Sequence, residues 1–339
     1  MSLATRYLGL ELRNPIVASA SPLSQDVAGV VALASAGVGA VVLPSLMEEV
    51  VRQREVDDFL EVARHEDAFG EATTYFPEPL LDEVDGVGQY LTLVREAAAA
   101  VDVPVIASLN GASLGGWTSI ASQLAAAGAA AIELNIYAVP GDLSMTGASI
   151  EARHVEILRQ VRGAVDVPVA VKLSPYFSNT GIVARDLVAA GADGLVLFNR
   201  FLQPDINPVT MSVEPGVYLS RPEDGRLPRA WIAVLRNEIG GASLAATGGA
   251  WSAGDVAKGL LAGADVVMVA SALLEHGVGV VGEMLEGLQA WLAGTGLGLD
   301  RVRGALAVPA GDSAEATQRA GYVEALASAR ARWGDLGHL

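Results

Sequence analysis

Cysteine is absent from the 339 residues. Its absence removes disulfides, thiolate metal sites, cysteine-held iron–sulfur clusters and any thiol nucleophile or base. Lysine is nearly absent too: Lys172 and Lys258 stand against twenty arginines. Aromatic residues make up 5% of a chain that is 51% hydrophobic, so a large core must be aliphatic. The four histidines, His65, His154, His276 and His338, show no ligand spacing, and no metal is expected. HExxH, GxSxG and Walker sequences are missing. Gly or Asp interrupts the longest apolar runs, so no membrane-spanning helix is expected. The opening MSLATRYLGLELRNP lacks the charged-then-apolar order of a signal peptide. A cytoplasmic protein is the default reading.

Positive charge is in short supply. A net charge of −17 argues against nucleic acid and anionic membrane partners, which demand basic patches. A small-molecule substrate is the expected partner. The acid is concentrated: residues 48–85 hold thirteen Asp or Glu and three Arg. Read as an insertion, this segment is either a lid or partner surface, or a solvated loop.

What is present repeats. An alanine-rich helix ends in Ala-Gly and an apolar run follows, at Gly37, Gly128, Gly191 and Gly263. Glycine suits the left-handed position that terminates a helix. Val-Asp-Val-Pro opens two further runs, with Pro at the first strand position. The runs give eight strands: Pro15–Ala20, Ala40–Ser45, Pro104–Leu109, Ala131–Ile136, Pro168–Leu173, Gly194–Asn199, Ser243–Gly248 and Val266–Ser271. Helices are predicted at about 26–36, 84–100, 117–127, 149–164, 180–190, 228–239, 252–262 and 272–293. Eight strand–helix units match a closed (β/α)8 TIM barrel. The alternative is an open doubly wound sheet, but the first strand runs into Ser19-Ala20-Ser21-Pro22 and not a GxGxxG turn. The chain is thus read as a single α/β domain over 1–339. It carries the acidic insertion after the second strand and a helical tail over 296–339. In the tail, Tyr322, Leu326 and Trp333 have helical spacing and are expected to pack on the barrel or on a second subunit, as in a homodimer.

Barrel strands converge their C-terminal ends on one mouth, so those ends form a site list. They are Ser19, Ala20 and Ser21; Pro44 and Ser45; Asn110; Asn135; Lys172; Asn199 and Arg200; Thr247, Gly248 and Gly249; and Ala270 and Ser271. A lysine at the end of a buried strand must meet a charge, a ligand or water. Gly248-Gly249 and Ala270-Ser271 offer backbone N–H groups just before helices, at the strands that commonly build a barrel's phosphate site. Neutral amides, one lysine and a phosphate cradle suit a phosphorylated cofactor with an electron-accepting ring.

The chain resembles the dihydroorotate dehydrogenase family of FMN barrels over nearly its whole length. The resemblance is carried by Asn14-Pro15 leading into Ala18-Ser19-Ala20, Glu133-Leu134-Asn135, Val171-Lys172-Leu173, Asn199, Thr247-Gly248-Gly249 and Ala270-Ser271-Ala272-Leu273. It implies an oxidoreductase acting on a CH–CH bond of a dihydropyrimidine-like substrate, with a place in pyrimidine biosynthesis. It also implies that Ser19 and Ala20 lie along FMN and that Asn110 and Asn135 bond the ring or substrate. Lys172 would sit at the ring's N1 side, Gly248, Gly249, Ala270 and Ser271 would hold the phosphate, and Asn199 would face the substrate. The family's base, a Cys or Ser shortly after the strand-four Asn, falls on Ala138; the nearest candidates to replace it are Tyr137 and, beyond strand five, Ser174 or Tyr176. The family's lysine after strand two falls on Pro44, and its substrate-binding asparagine loop has no counterpart in 48–85. Two other readings stand beside the dehydrogenase. One is a lyase or aldolase forming a Schiff base on Lys172. The other is a flavin-binding paralogue without dihydroorotate activity.

Overall fold

The computed structural model describes residues 2–53, 86–111, 117–137, 143–200, 205–214 and 218–334, the Trp333 side chain excepted. A short hairpin, β1 (Thr5–Tyr7) and β2 (Leu10–Leu12), comes first. Eight strands then close a parallel barrel: β3 (Ile16–Ala18), β4 (Ala40–Met47), β5 (Val105–Gly111), β6 (Ala131–Ile136), β7 (Val169–Leu173), β8 (Gly194–Leu197), β11 (Ser243–Thr247) and β12 (Val266–Val269). A second hairpin, β9 (Asp205–Asn207) with β10 (Ser212–Glu214), follows β8. The (β/α)8 barrel expected from the sequence is therefore the fold. Neither hairpin is apparent in the sequence, because strands of three residues carry no measurable period.

The helices are α1 (Val27–Ala36), α2 (Gly86–Ala100), α3 (Trp117–Ala126), α4 (Gly147–Ala164), α5 (Thr180–Ala189), α6 (Arg226–Leu235), α7 (Ala253–Ala262), α8 (Ser271–His276), α9 (Val280–Thr295), α10 (Leu299–Val302) and α11 (Ala314–Trp333). The repeated Ala-Gly is a helix stop: Gly37, Gly128, Gly191 and Gly263 have φ of 108°, 107°, 105° and 121°. The single helix expected over 272–293 is broken in two. Gly277, at φ 77°, ends α8, and α9 begins three residues on.

Two cores result. Outward-facing strand residues such as Ile132, Leu134, Val171 and Leu173 pack against the helices. Inward-facing Val17, Ala40, Val42, Ile106, Ala131, Ala170, Val196, Ala245, Val266 and Met268 fill the barrel. The first hairpin closes its lower end. Tyr7, Leu8 and Leu12 join the inner core, and Leu8 N–H donates to Ser243 Oγ at 2.9 Å. The turn is Leu8-Gly9, with φ of 53° and 76°. Leucine is unfavourable in that region, and its nearly complete burial in the barrel floor offsets the strain.

Pro44 lies inside β4, where it cannot donate to the ladder. The register with β5 shifts between Val42 and Ser45. Beside this shift, Tyr90 from α2 accepts the Ser108 N–H at 3.0 Å and donates to the Ser108 carbonyl at 3.2 Å. Burial raises the pKa of that hydroxyl, so it stays a donor.

Of the two surfaces expected to receive the tail, the barrel takes only its first part. That part is tied down: Gly304, Leu306 and Val308 donate to the carbonyls of Leu260, Leu261 and Ala233. Helix α11, however, does not pack on the barrel. Tyr322 and Leu326 are 57% and 44% exposed. Four large apolar residues in twenty positions cover too little area to anchor a helix. Trp333's side chain and residues 54–85, most of the acidic insertion, lie outside the described residues.

Candidate active site at the barrel mouth

Ladder register and strand alternation assemble the site. Asn110 is opposite Asn135, and Asn135 is opposite Lys172, so three adjacent strands carry polar side chains at one level. Alternation puts Glu133 on the face of Ala131 and Asn135, and Lys172 on the face of Ala170. Both Ala131 and Ala170 belong to the inner core. Glu133 and Lys172 therefore point into the barrel on neighbouring strands. They meet there, with Lys172 Nζ 3.2 Å from Glu133 Oε1. Glu133 is 1% exposed, and its second oxygen, Oε2, has no partner. The lysine at a strand end meets a charge, as its position demanded. Lys258 also pairs, with Asp255 Oδ1 at 3.0 Å, but on the exposed side of α7.

Above this pair lies a cavity of about 190 Å³. Ten of the strand-end residues expected at the mouth line it: Ser19, Ala20, Lys172, Asn199, Arg200, Thr247, Gly248, Gly249, Ala270 and Ser271. Asn135 is not in the wall but braces it, accepting from Asn199 Nδ2 at 2.9 Å. Asn110 lies one strand further away, outside the wall. Tyr137 is also outside it, with its N–H donated to the Gly111 carbonyl at 3.0 Å. Arg200, next to Asn199, completes the wall as an exposed cation.

The cradle on the β11–β12 side is built from backbone. Gly248 and Gly249 have φ of 87° and 70°. A Cβ on Gly249 would lie 2.4 Å from Gly225 N, so no larger residue fits. Ser220 was not predicted. Its Oγ accepts the Gly249 N–H at 3.1 Å and lies 2.8 Å from Ser271 Oγ, which itself accepts the Ser220 N–H at 2.9 Å. With Ser271 donating to Ser220, the Ser220 proton is left for the cavity. Trp251 Nε1 pins this segment by donating to the Ser220 carbonyl at 2.8 Å. Ser220 sits on the connection between β10 and α6, where no period or motif marks it. Glu133 was legible as part of a motif but not as Lys172's partner. It is the one acid inside any of the eight barrel strands, and that was the available signal.

The family profile described as Dihydroorotate dehydrogenase matches residues 82–292, more than half of the chain. The chain belongs to the dihydroorotate dehydrogenase family. It is 29% identical over 303 residues to a protein from Methanocella arvoryzae named dihydroorotate dehydrogenase B (NAD(+)), catalytic subunit, covering 87% of this chain and 95% of that one. It is 34% identical over 182 residues to dihydroorotate dehydrogenase A (fumarate) of Lacticaseibacillus paracasei, 50% of this chain and 60% of the relative. A dihydroorotate dehydrogenase B catalytic subunit of Listeria innocua is 32% identical over 177 residues, 50% and 57% of the two chains. As a member of the dihydroorotate dehydrogenase family the chain is a flavin-dependent dehydrogenase.

The donors present fit a flavin mononucleotide. An ammonium, an amide, four hydroxyls and a glycine pair that tolerates no Cβ at Gly249 share one cavity. Among the described residues no helix is long and apolar enough to cross a membrane, and no acid–histidine cluster could hold a metal. Of the family's substrate half, Pro44 is seen at the β4 irregularity, while Ala138 lies outside the described residues.

Proposed function

We propose that this protein is an FMN-dependent oxidoreductase that desaturates a CH–CH bond in a small, anionic, dihydropyrimidine-like substrate, and that it is a poor catalyst with dihydroorotate itself. The observation that carries the reading is Lys172 opening on the same cavity as the Gly248-Gly249 cradle. Bound FMN would supply the two-electron acceptor for the hydride leaving the substrate. Lys172 would offer its ammonium to the ring's N1 side, where negative charge collects on reduction. Ser220, Gly248, Gly249, Ala270 and Ser271 would hold the phosphate. Asn199, held by Asn135, would orient the substrate, with Asn110 and Tyr137 at the far edge of the mouth. Ser19 and Ala20 would lie along the ring. Arg200 is the cation of the wall that no carboxylate neutralises among the described residues, and it suits an anionic substrate group.

The remaining proton must go to a base. The family's base position is Ala138, which accepts none. A positioned base contributes roughly 10²–10⁴-fold, and dihydroorotate oxidation should be slow by about that factor. The electron acceptor is left open, since the relatives are named for both NAD(+) and fumarate. The ion pair argues against the Schiff-base reading: an ammonium held by Glu133 is not the free amine that attacks a carbonyl.

Absorbance of the purified protein and mass identification of the released cofactor test the FMN assignment. Anaerobic mixing with dihydroorotate, followed by a panel of related anions, tests the substrate. Bleaching by dihydroorotate at roughly 1–10³ s⁻¹ would show that another residue serves as base and that the substrate half has been misread.

A further inference from the structure

Glu133 has no evident structural reason to be ionic. Its strand is otherwise apolar except at Asn135, and it is buried to 1% exposure. A buried ion pair is seldom better for stability than apolar residues of the same volume. This one is also incomplete, with one contact at 3.2 Å and Oε2 unmet. Buried polar atoms without partners are rare and call for an explanation. The pair's position supplies one. Lys172 lines the cavity from above Glu133, so its ammonium is shared between a fixed carboxylate below and whatever binds above.

We infer that Glu133 is a positioning residue that aims Lys172 at the cavity and cancels most of its charge, holding the reduction potential of the bound flavin below what a lone lysine would give. The inference rests on the flavin reading above. A reduced flavin carrying negative charge at N1 is stabilised by a cation beside it and destabilised by an anion. The native pair presents nearly no net charge. Removing the carboxylate leaves one positive charge, and removing the ammonium leaves one negative charge.

The test is a charge cycle on the FMN-loaded protein: wild type, Glu133→Gln, Lys172→Gln and the double variant. Potentials are measured by equilibration with redox dyes, and sulfite dissociation constants by titration, since sulfite also favours a positive N1 side. Glu133→Gln should raise the potential and tighten sulfite binding on the order of tenfold, equivalent to about 30 mV for a two-electron couple. Lys172→Gln should move both readings at least as far the other way. The double variant, which has no unpaired buried charge and keeps the side-chain volumes, should return close to wild type. A merely structural Glu133 would change the melting temperature of Glu133→Gln and leave its potential in place, overturning the inference. If Glu133→Gln fails to fold, the double variant and Lys172→Gln still decide: equal potentials for these two would overturn it. Protein that takes up no FMN would overturn the flavin reading and this inference together, whereas loaded protein with unmoved potentials overturns this inference alone.

Discussion

Two buried carboxylates sit at opposite ends of the barrel, and they are satisfied to different degrees. Asp265, just before β12 at the lower end, is closed. Its Oδ1 accepts from Arg236 at 3.0 Å and Arg303 at 3.3 Å, and its Oδ2 accepts from Arg236 and the Leu244 N–H, each at 2.9 Å. Arg303 also donates to Thr5 Oγ1 at 2.6 Å, tying the tail to the first hairpin. Glu133, near the mouth, has one cation and one unmet oxygen. On the function proposed above, the difference separates a structural ion site from one with charge left for a ligand. Both Asp265 oxygens are spent on the fold, although Arg303 Nε in the same network has no partner. Between the two acids lies Tyr7, whose buried hydroxyl has no partner. Burial, with Glu133 and Asp265 adding, raises its pKa well above the usual value.

The comparison can be broken most directly at Asp265. Asp265→Ala leaves Arg303 and Arg236 without their carboxylate and should cost about 3–5 kcal/mol, measured by urea unfolding. The FMN spectrum of the folded fraction should be unchanged. A variant of native stability would show that the lower site is not structural. Lys172→Met is the matching change at the mouth. Flavin reduction by the best substrate should fall roughly 10²–10³-fold, or about 3–4 kcal/mol, in stopped-flow absorbance. If that variant lost only stability, the two acids would be alike after all.

Gly249→Asp puts a carboxylate beside the Gly225 backbone and into the proposed phosphate cradle. FMN affinity should fall at least tenfold, about 1.4 kcal/mol or more, and a fluorescence titration of apoprotein reads it. Recovery of that variant fully loaded would place the phosphate elsewhere. The smallest effect concerns His154 on α4. Its Nδ1 lies 2.8 Å from the Ile150 carbonyl, Nε2 has no partner, and the ring packs edge-on against Phe177. Burial lowers its pKa from 6.5. The unfolded chain therefore takes up this proton at higher pH than the folded one. Stability should decline as pH falls below about 6.5, by at most about 1.4 kcal/mol per pH unit. His154→Leu should flatten thermal melts over that window.

The sequence by itself determined the architecture. Eight apolar runs and four Ala-Gly helix stops are local signals, because a strand's face and a helix's last turn depend on nearby residues. It also marked Lys172, Asn199, Ser19 and the two glycines, because barrel topology sends every strand end to one mouth. Tertiary structure alone decided the rest. The Glu133–Lys172 contact joins residues 39 apart in sequence and depends on ladder register, which no single strand specifies. Ser220 reaches the cradle from a connection without regular period, held by Trp251 and Ser271. Helix α11 has spacing that suggests a packing face, yet nothing among the described residues covers it. Periodicity says which side chains share a face. Whether another surface arrives to bury that face is settled by the path of the whole chain.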